Sequence, residues 1–363
     1  MSPATHARGR LSSARLRAAG DLLLDYPFRV WHYGESVGLE GLVRLGALLD
    51  EPRYEAWVHG LMRGWAARRT PFVEIDNTLP GKVLCELADR HGDDLLFEAA
   101  LDAAGHLASR RMLHGVALPF ERAPLRRPFG GEPLAATDRT LIEDPGPGVF
   151  VDPLHFDPPF LVRLGVLSGS AELTDAGAEQ AHALVDLLQD PSGVFWHFYL
   201  ARSSERYGLG WGRGQGWALL GLVDVLEGLP GTHRLRESLR SALARLSDAL
   251  RSSQLEDGSW YAVISDPDSG PESSTAAFVA AGLSRAVAEG LLGTEYLEPA
   301  RAAWAATARG VRPDGVLEGV SANVWACTVP SHYANVPLGA VVPWGQGPLL
   351  LAAAERLADG MGK

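Results

Sequence analysis

The chain has 363 residues, of which 46% are apolar and 21% charged, and its formal net charge is −11. This length exceeds the usual single domain of about 100–200 residues and leaves ample material for a buried core, and the composition is globular rather than disordered. The acidic balance offers no electrostatic footprint for nucleic acid or an anionic membrane, so an anionic ligand would have to be held by a few local cations.

The N-terminal stretch carries Arg8, Arg10, Arg15 and Arg17 without an apolar run, and Leu22-Leu23-Leu24 is too short for a signal peptide or a membrane span. Residues 1–20 read as including a mobile N-terminal extension. Apolar positions at a period near 3.6 then predict helices over 10–24, 37–49, 52–68, 78–91, 93–113, 153–167, 173–189, 213–228, 232–253, 272–290, 293–309 and 345–359. Five junctions, at 48–54, 89–94, 167–173, 229–235 and 291–297, share one pattern: an apolar helical run ends on Gly, Asp or Pro and restarts with a residue able to cap a helix. Repeated helical hairpins of this kind stack. About twelve helices in six hairpins can close into a ring, so the expected fold is all-α, an (α/α)6 toroid forming one catalytic domain over 1–363.

The segments between hairpins, 25–36, 69–77, 114–152, 194–212, 254–271 and 311–344, are long and rich in Gly, Pro and aromatics. Long loops are functional or disordered, and Trp31, Trp196, Trp211, Trp260, Trp325 and Trp344 argue for function. In a toroid they converge at one end and line a concave aromatic pocket. Segment 114–139 reads as the least structured. Cys85 lies on an apolar helical face, and neither Cys-x-x-Cys nor His-x-x-x-His occurs, so no metal site is expected. The Gly-rich run 208–216 lacks the Gly-Lys-Ser/Thr ending of a phosphate loop, and no cofactor is expected. Few cysteines and no leader make the cytoplasm the default location.

Five segments mix aromatics with charged or amide groups at helix entrances: Trp31-His32-Tyr33-Gly34-Glu35, Glu74-Ile75-Asp76-Asn77, Phe150-Val151-Asp152-Pro153, Phe195-Trp196-His197-Phe198 and Trp211-Gly212-Arg213-Gly214-Gln215-Gly216-Trp217. Sugars need that mixture, because their apolar faces meet rings and their hydroxyls meet carboxylates, amides and Arg. Locally, Asp152 reads equally well as an N-cap before Pro153 and as a catalytic acid. His197 alone reads as a half-buried, hydrogen-bonded histidine. Arg213, between two tryptophans, reads as a ligand contact or as a cation stacked on Trp211 or Trp217.

Taken in order, Trp31-His32-Tyr33, Val151-Asp152-Pro153-Leu154, Trp211-Gly212-Arg213-Gly214-Gln215-Gly216-Trp217, Glu272-Ser273-Ser274-Thr275-Ala276 and Trp344-Gly345-Gln346-Gly347-Pro348 resemble glycoside hydrolase families 88 and 105, the latter more closely. The resemblance implies an (α/α)6 toroid that removes a Δ4,5-unsaturated uronic acid from the non-reducing end of a lyase-generated oligosaccharide. It implies Asp152 as general acid/base with His197 beside it, and Trp31, His32, Tyr33, Asp76, Trp211, Arg213, Trp217 and Trp344 as substrate-binding residues. Arg213 would take the uronate carboxylate or ring hydroxyls. Two other readings stay open: a sugar 2-epimerase on the same toroid, using a facing pair drawn from His32, His155, His197 and His332, and a non-catalytic carbohydrate-binding protein.

Overall fold

The computed structural model describes residues 11–69, 79–118 and 120–361, with side chains described as far as 355. Its helices are α1 (Ser13–Leu24), α2 (Glu35–Leu49), α3 (Pro52–Ala67), α4 (Gly81–His91), α5 (Asp94–Ala108), α6 (Ala136–Glu143), α7 (Pro153–Ser168), α8 (Ala171–Leu188), α9 (Gly212–Gly228), α10 (Arg236–Ser253), α11 (Ser273–Ala288), α12 (Leu297–Arg309) and α13 (Pro343–Met361). Short strands pair antiparallel as β1 (Met112–Leu113) with β2 (Val116–Ala117), and as a three-stranded sheet in the order β3 (Gly148–Phe150), β4 (Phe198–Leu200), β5 (Glu205–Tyr207).

Two sequence patterns sort the helices into two rings. α2, α7, α9 and α11 are largely apolar or small, and a helix of that kind must be buried on most sides; α4, although it carries Lys82 and Glu86, is buried from Gly81 through Ala88. In α9 the run Gly212–Val223 is continuously buried, and α11 is buried from Ser274 through Ser284. These helices and α13 form the inner ring, packing in the order α2, α4, α7, α9, α11, α13 and back to α2. α1, α3, α5, α8, α10 and α12 alternate with them on the outside. α10 buries only one stripe, Leu239, Ala242, Leu243, Leu246, Ser247 and Leu250. The result is the six-hairpin α/α toroid expected from the periodicity, and all twelve anticipated helices are present.

Three local expectations need correction. The helix expected over 93–113 ends at Ala108, and Met112–Leu113 enters β1. Segment 114–139 is not structureless: α6 begins inside it, and Leu125 bridges to Ala326. Residues 13–20, expected within the extension, form α1, whose Leu16, Ala19 and Leu23 are buried.

The inner helices run parallel, so their N-terminal ends share one mouth and their C-terminal ends the other. The second mouth holds a cavity of about 590 Å³ lined by Asp89, Val166, Glu227, Glu289 and Glu355 near helix ends, and deeper by Glu40, Lys82 and Asp224. Lys82 Nζ donates to Glu40 and Asp224 at 2.8 and 2.5 Å, and Arg285 Nη1 pairs with Asp224 at 2.6 Å. His155, fully buried, sits between the same carboxylates. Among the described residues, no helix is long and apolar enough to cross a membrane, and no group of three or more His, Cys, Asp or Glu side chains is arranged to hold a metal ion.

Ring closure requires α13 to lie against α2 at backbone distance. A Cβ on Gly347 would sit 2.3 Å from the carbonyl oxygen of Val37. Gly347→Ala is therefore expected to lower unfolding stability by about 1–3 kcal/mol, as overpacking does. Gly105→Ala, on exposed α5 with nothing within 4 Å of its Cβ, should be neutral or stabilising by up to about 1 kcal/mol. Denaturant melts of the two variants against the parent check both signs.

Candidate active site

The mouth at the N-terminal ends of the inner helices holds a cavity of about 100 Å³, lined among the described residues by His32, Tyr33, Phe120, Pro124, Phe150, Asp152, Pro153, His197, Trp211, Asn323, Trp325 and Ala326. The three-stranded sheet brings its polar groups together. β3 and β4 pair Phe150 with Phe198, and Val151 N–H donates to the His197 carbonyl at 2.8 Å. Asp152 leaves one strand just where His197 enters the next. His197 Nε2 lies 3.6 Å from Asp152 Oδ2, beyond hydrogen-bond length.

Asp152 occupies the N-cap position of α7, but its backbone is helical and its side chain caps nothing. The structural role that its sequence context allows is thus not the one it performs. Its carboxyl is 5% exposed and accepts a hydrogen bond from the Tyr33 hydroxyl at 3.0 Å. Burial pushes its pKa up from 3.8 to about 6, against the lowering by the Tyr33 hydrogen bond, its own backbone and the Arg213 charge. Burial likewise holds the Tyr33 hydroxyl neutral, well above its ordinary value, and the Asp152 charge adds to this.

His197 lies against Trp211, with ring centroids 4.2 Å apart, and its Nδ1 shares a hydrogen bond of 2.7 Å with the Tyr333 hydroxyl. Burial lowers its pKa well below 6.5, helped by the nearby His332 and Arg213, which favours the neutral ring. A phenol held neutral by burial can donate to Nδ1, which leaves the ring proton on Nε2, facing Asp152. Tyr333 reaches the ring only because residue 208 is glycine: a Cβ there would lie 2.2 Å from the Tyr333 hydroxyl, and φ is +69°.

The remaining residues singled out in the sequence divide. His32, Tyr33 and Trp211 are on the cavity wall with Asp152 and His197. Arg213 is not. It is 1% exposed, donates from Nη1 to Ser321 Oγ at 2.6 Å and from Nη2 to the Ala322 carbonyl at 3.0 Å, and pairs with Glu272 at 3.4 Å. Its guanidinium lies 5.1 Å from the Trp211 ring. The structure makes it a brace behind the wall, in place of the uronate clamp its motif suggests. Trp217 and Trp344 also stand behind the wall, flanking Tyr33 at 6.4 and 5.3 Å between centroids. Trp31 packs on Trp65 and His106 away from the cavity. Asp76 lies outside the described residues.

Sequence reasoning missed Phe120, Pro124, Asn323 and Tyr333, which carry no motif. Of the histidines an epimerase could draw on, two are engaged elsewhere: both ring nitrogens of His332 engage backbone groups, Phe129 N–H and the Val324 carbonyl, and His155 belongs to the buried network at the other mouth.

A six-hairpin toroid with an aromatic pocket at the N-terminal mouth of its inner ring can host more than one sugar chemistry, and the family comparison places the chain among the glycoside hydrolases. The model for Glycosyl Hydrolase Family 88 matches residues 24–359, and the chain belongs to this family. It is 27% identical over 352 residues, 93% of the chain and 90% of the relative, to the unsaturated rhamnogalacturonyl hydrolase YesR of Bacillus subtilis. It is 27% identical over 215 residues to the unsaturated 3S-rhamnoglycuronyl hydrolase of an Alteromonas species, spanning 57% of the chain and 51% of the relative. Two solved structures share the fold: a possible member of the GH105 family from Salmonella enterica (TM-score 0.80, 19% identity, 96% of this chain and 95% of that one), and the unsaturated glucuronyl hydrolase of Bacillus sp. GL1 (TM-score 0.70, 18% identity, 96% of each).

The raised pKa of Asp152 is also a statement about stability. Its folded value of about 6 exceeds its ordinary 3.8, so ionisation above that window costs the folded state up to about 3 kcal/mol. Asp152→Asn is expected to unfold at a higher temperature than the parent at pH 7–8. The difference should shrink as pH falls from about 6 to about 4, and differential scanning calorimetry across that range checks it.

Proposed function

We propose that this enzyme releases a Δ4,5-unsaturated uronic acid from the non-reducing end of an oligosaccharide by hydrating the C4=C5 double bond, with Asp152 as the proton donor and acceptor. The observation that carries the reading is one buried carboxyl, uncommitted as a helix cap and protonated up to about pH 6, facing an aromatic-lined cavity with a buried histidine beside it. Ordinary glycosidases use two carboxylates. Asp152 is the only carboxylic acid on the cavity wall among the described residues, which suits a mechanism needing a single acid/base.

The unsaturated uronate is an enol ether, because its C4=C5 bond is conjugated with the ring oxygen. Protonated Asp152 donates to C4, and positive charge develops over C5 and the ring oxygen. Water then adds to C5 and gives its proton to the Asp152 carboxylate, with His197 orienting the water. The C5 hemiketal opens to a ketone, the ring oxygen becomes a hydroxyl on C1, and the resulting C1 hemiacetal collapses to an aldehyde as its proton passes to the departing aglycone alcohol. The acid regains its proton in the same cycle.

Tyr33 holds Oδ1 of Asp152, which directs the transferable proton to Oδ2, the oxygen facing His197. The YesR relative supports a galacturonyl-rhamnose type of substrate, since its name specifies unsaturated rhamnogalacturonyl hydrolysis. We further read the chain as one catalytic domain with an oligosaccharide as its partner. Two unpaired, buried cysteines support a cytoplasmic location.

Mixing the protein with Δ4,5-unsaturated disaccharides of galacturonyl-rhamnose and glucuronyl types should bleach the ultraviolet absorbance of the conjugated double bond for at least one of them. Asp152→Asn should abolish that turnover; activity retained in the variant removes Asp152 from the role. The rate should fall as pH rises through about 6, where the acid form of Asp152 is lost. Tyr33→Phe removes a hydrogen bond that lowers this pKa, so its alkaline limb should move to higher pH. A limb that stays in place would show that another group sets it.

A further inference from the structure

Part of the cavity wall comes from two loops that meet edge to edge. Leu125 bridges to Ala326, and Arg126 N–H donates to the Ala326 carbonyl at 2.8 Å. This joint sets Pro124 and Trp325 on the cavity wall together. Trp325 is 40% exposed, although it lines a cavity and belongs to the largest apolar side-chain type. Its φ of +57° is uncommon for a bulky residue, and the Asn323 side-chain oxygen holds it there by accepting from its backbone N–H at 3.2 Å. A strained, exposed tryptophan at a cavity rim is a platform for a sugar face.

The Arg126 guanidinium lies 4.6 Å from the Trp325 ring centroid. It is exposed and forms no ion pair among the described residues. Four of the acidic side chains nearby in sequence are committed elsewhere. Glu121 pairs with Arg111, Asp138 accepts from Thr328 Oγ1, Glu132 accepts from Ser331, and Asp144 pairs with Arg122 and Arg202. In a chain with a net charge of −11, an arginine without a carboxylate beside a saccharide cavity is conspicuous. Its flat fork suits a carboxylate or sulfate oxygen pair.

Resting on the reading of the cavity as an unsaturated-uronyl site, we propose that Trp325 and Arg126 form a second subsite, past the bond that is cut, which stacks a sugar of the leaving portion and prefers one bearing an acidic group. Asp152 marks where C4 of the uronate is protonated, and C1 lies across the ring from C4, so the aglycone emerges away from Asp152, at the exposed Trp325 rim of the cavity. Trp325 supplies face contact to any pyranose. Arg126 supplies the discrimination. The preference is electrostatic and exposed, so it weakens as added salt shortens the screening length.

The test uses the full chain carrying Asp152→Asn, so that ligand persists, and calorimetric titration with two unsaturated oligosaccharides that differ only in whether the leaving portion carries a carboxylate. The acidic one should bind tighter by roughly 3–10-fold at low salt, as one charge-assisted contact gives. Adding Arg126→Gln should erase most of that ratio, and Arg126→Lys should keep part of it. Trp325→Ala should weaken both ligands. Equal affinity for the two oligosaccharides, or a preference that survives Arg126→Gln, overturns the subsite and leaves the uronyl site standing. Binding of neither oligosaccharide overturns both.

Discussion

The toroid depends on one closure, the approach of its last inner helix to its first. α13 and α2 meet where Gly347 lies against Val37 and Gly38 and Gly41 lies against Gly347, with backbone atoms closer than any side chain permits. This contact joins residues about three hundred positions apart, and without it each helix would leave one side of its apolar circumference uncovered. Closure also fixes the active site. Trp344, at the start of α13, packs on Tyr33, just before α2. Trp217 of α9 meets Tyr33 from another side. Tyr33 thus reaches Asp152 as a consequence of how the ring shuts.

Around the rest of the mouth, buried polar groups do for the loops what glycine does for the helices. Gln215 clamps Phe195, accepting from its N–H at 2.7 Å and donating to its carbonyl at 2.9 Å, so the segment entering His197 is tied to α9. Gln346, in the matching Gly-Gln-Gly context of α13, does the same for Leu317 and Gly315. Glu272 caps α11 through Thr275 N–H while also accepting from Ser321 and Arg213. A buried pair such as Arg213–Glu272 adds little net stability by itself, because desolvation offsets most of its attraction. Its value is positional: it pins α9, α11 and the loop at 321–322 to one another and holds Trp211 against His197.

These braces explain which parts of the protein were legible in the sequence. The helices were, because a period of 3.6 and capped turns are local properties, and the long aromatic loops advertised the functional mouth. The direction in which a side chain points was not. Arg213 stands in a conspicuous motif, but its partners Ser321 and Ala322 lie more than a hundred residues away, and nothing near Arg213 says that it faces them instead of the cavity. Tyr333 lies outside every motif and reaches His197 only across a gap kept open by Gly208. The strands escaped notice because each has two or three residues, too few for alternation to register. The sequence context of Asp152 allowed a cap and an acid with equal force. Only the helical backbone at that residue, which turns its carboxyl away from the α7 amides, separates the two.

The two mouths of the ring differ in electrostatic sense, and this reconciles an acidic chain with an acidic substrate. All six inner helices present their N-terminal, positive ends to the catalytic mouth, where an anion is favoured. The opposite mouth receives the negative ends together with Glu227, Glu289 and Glu355. Between them, the Lys82–Glu40–Asp224–His155 network fills the shaft, and His155 stacks under Trp217 with centroids 5.1 Å apart. A purely apolar plug could seal the ring equally well, but it would not fix which helix faces which. Each charge in the network is satisfied by partners on other helices, α2, α4, α7 and α9, so a misregistered ring would strand a buried ion, a penalty of several kcal/mol. The network therefore enforces the register that, one layer above, sets Tyr33 against Asp152.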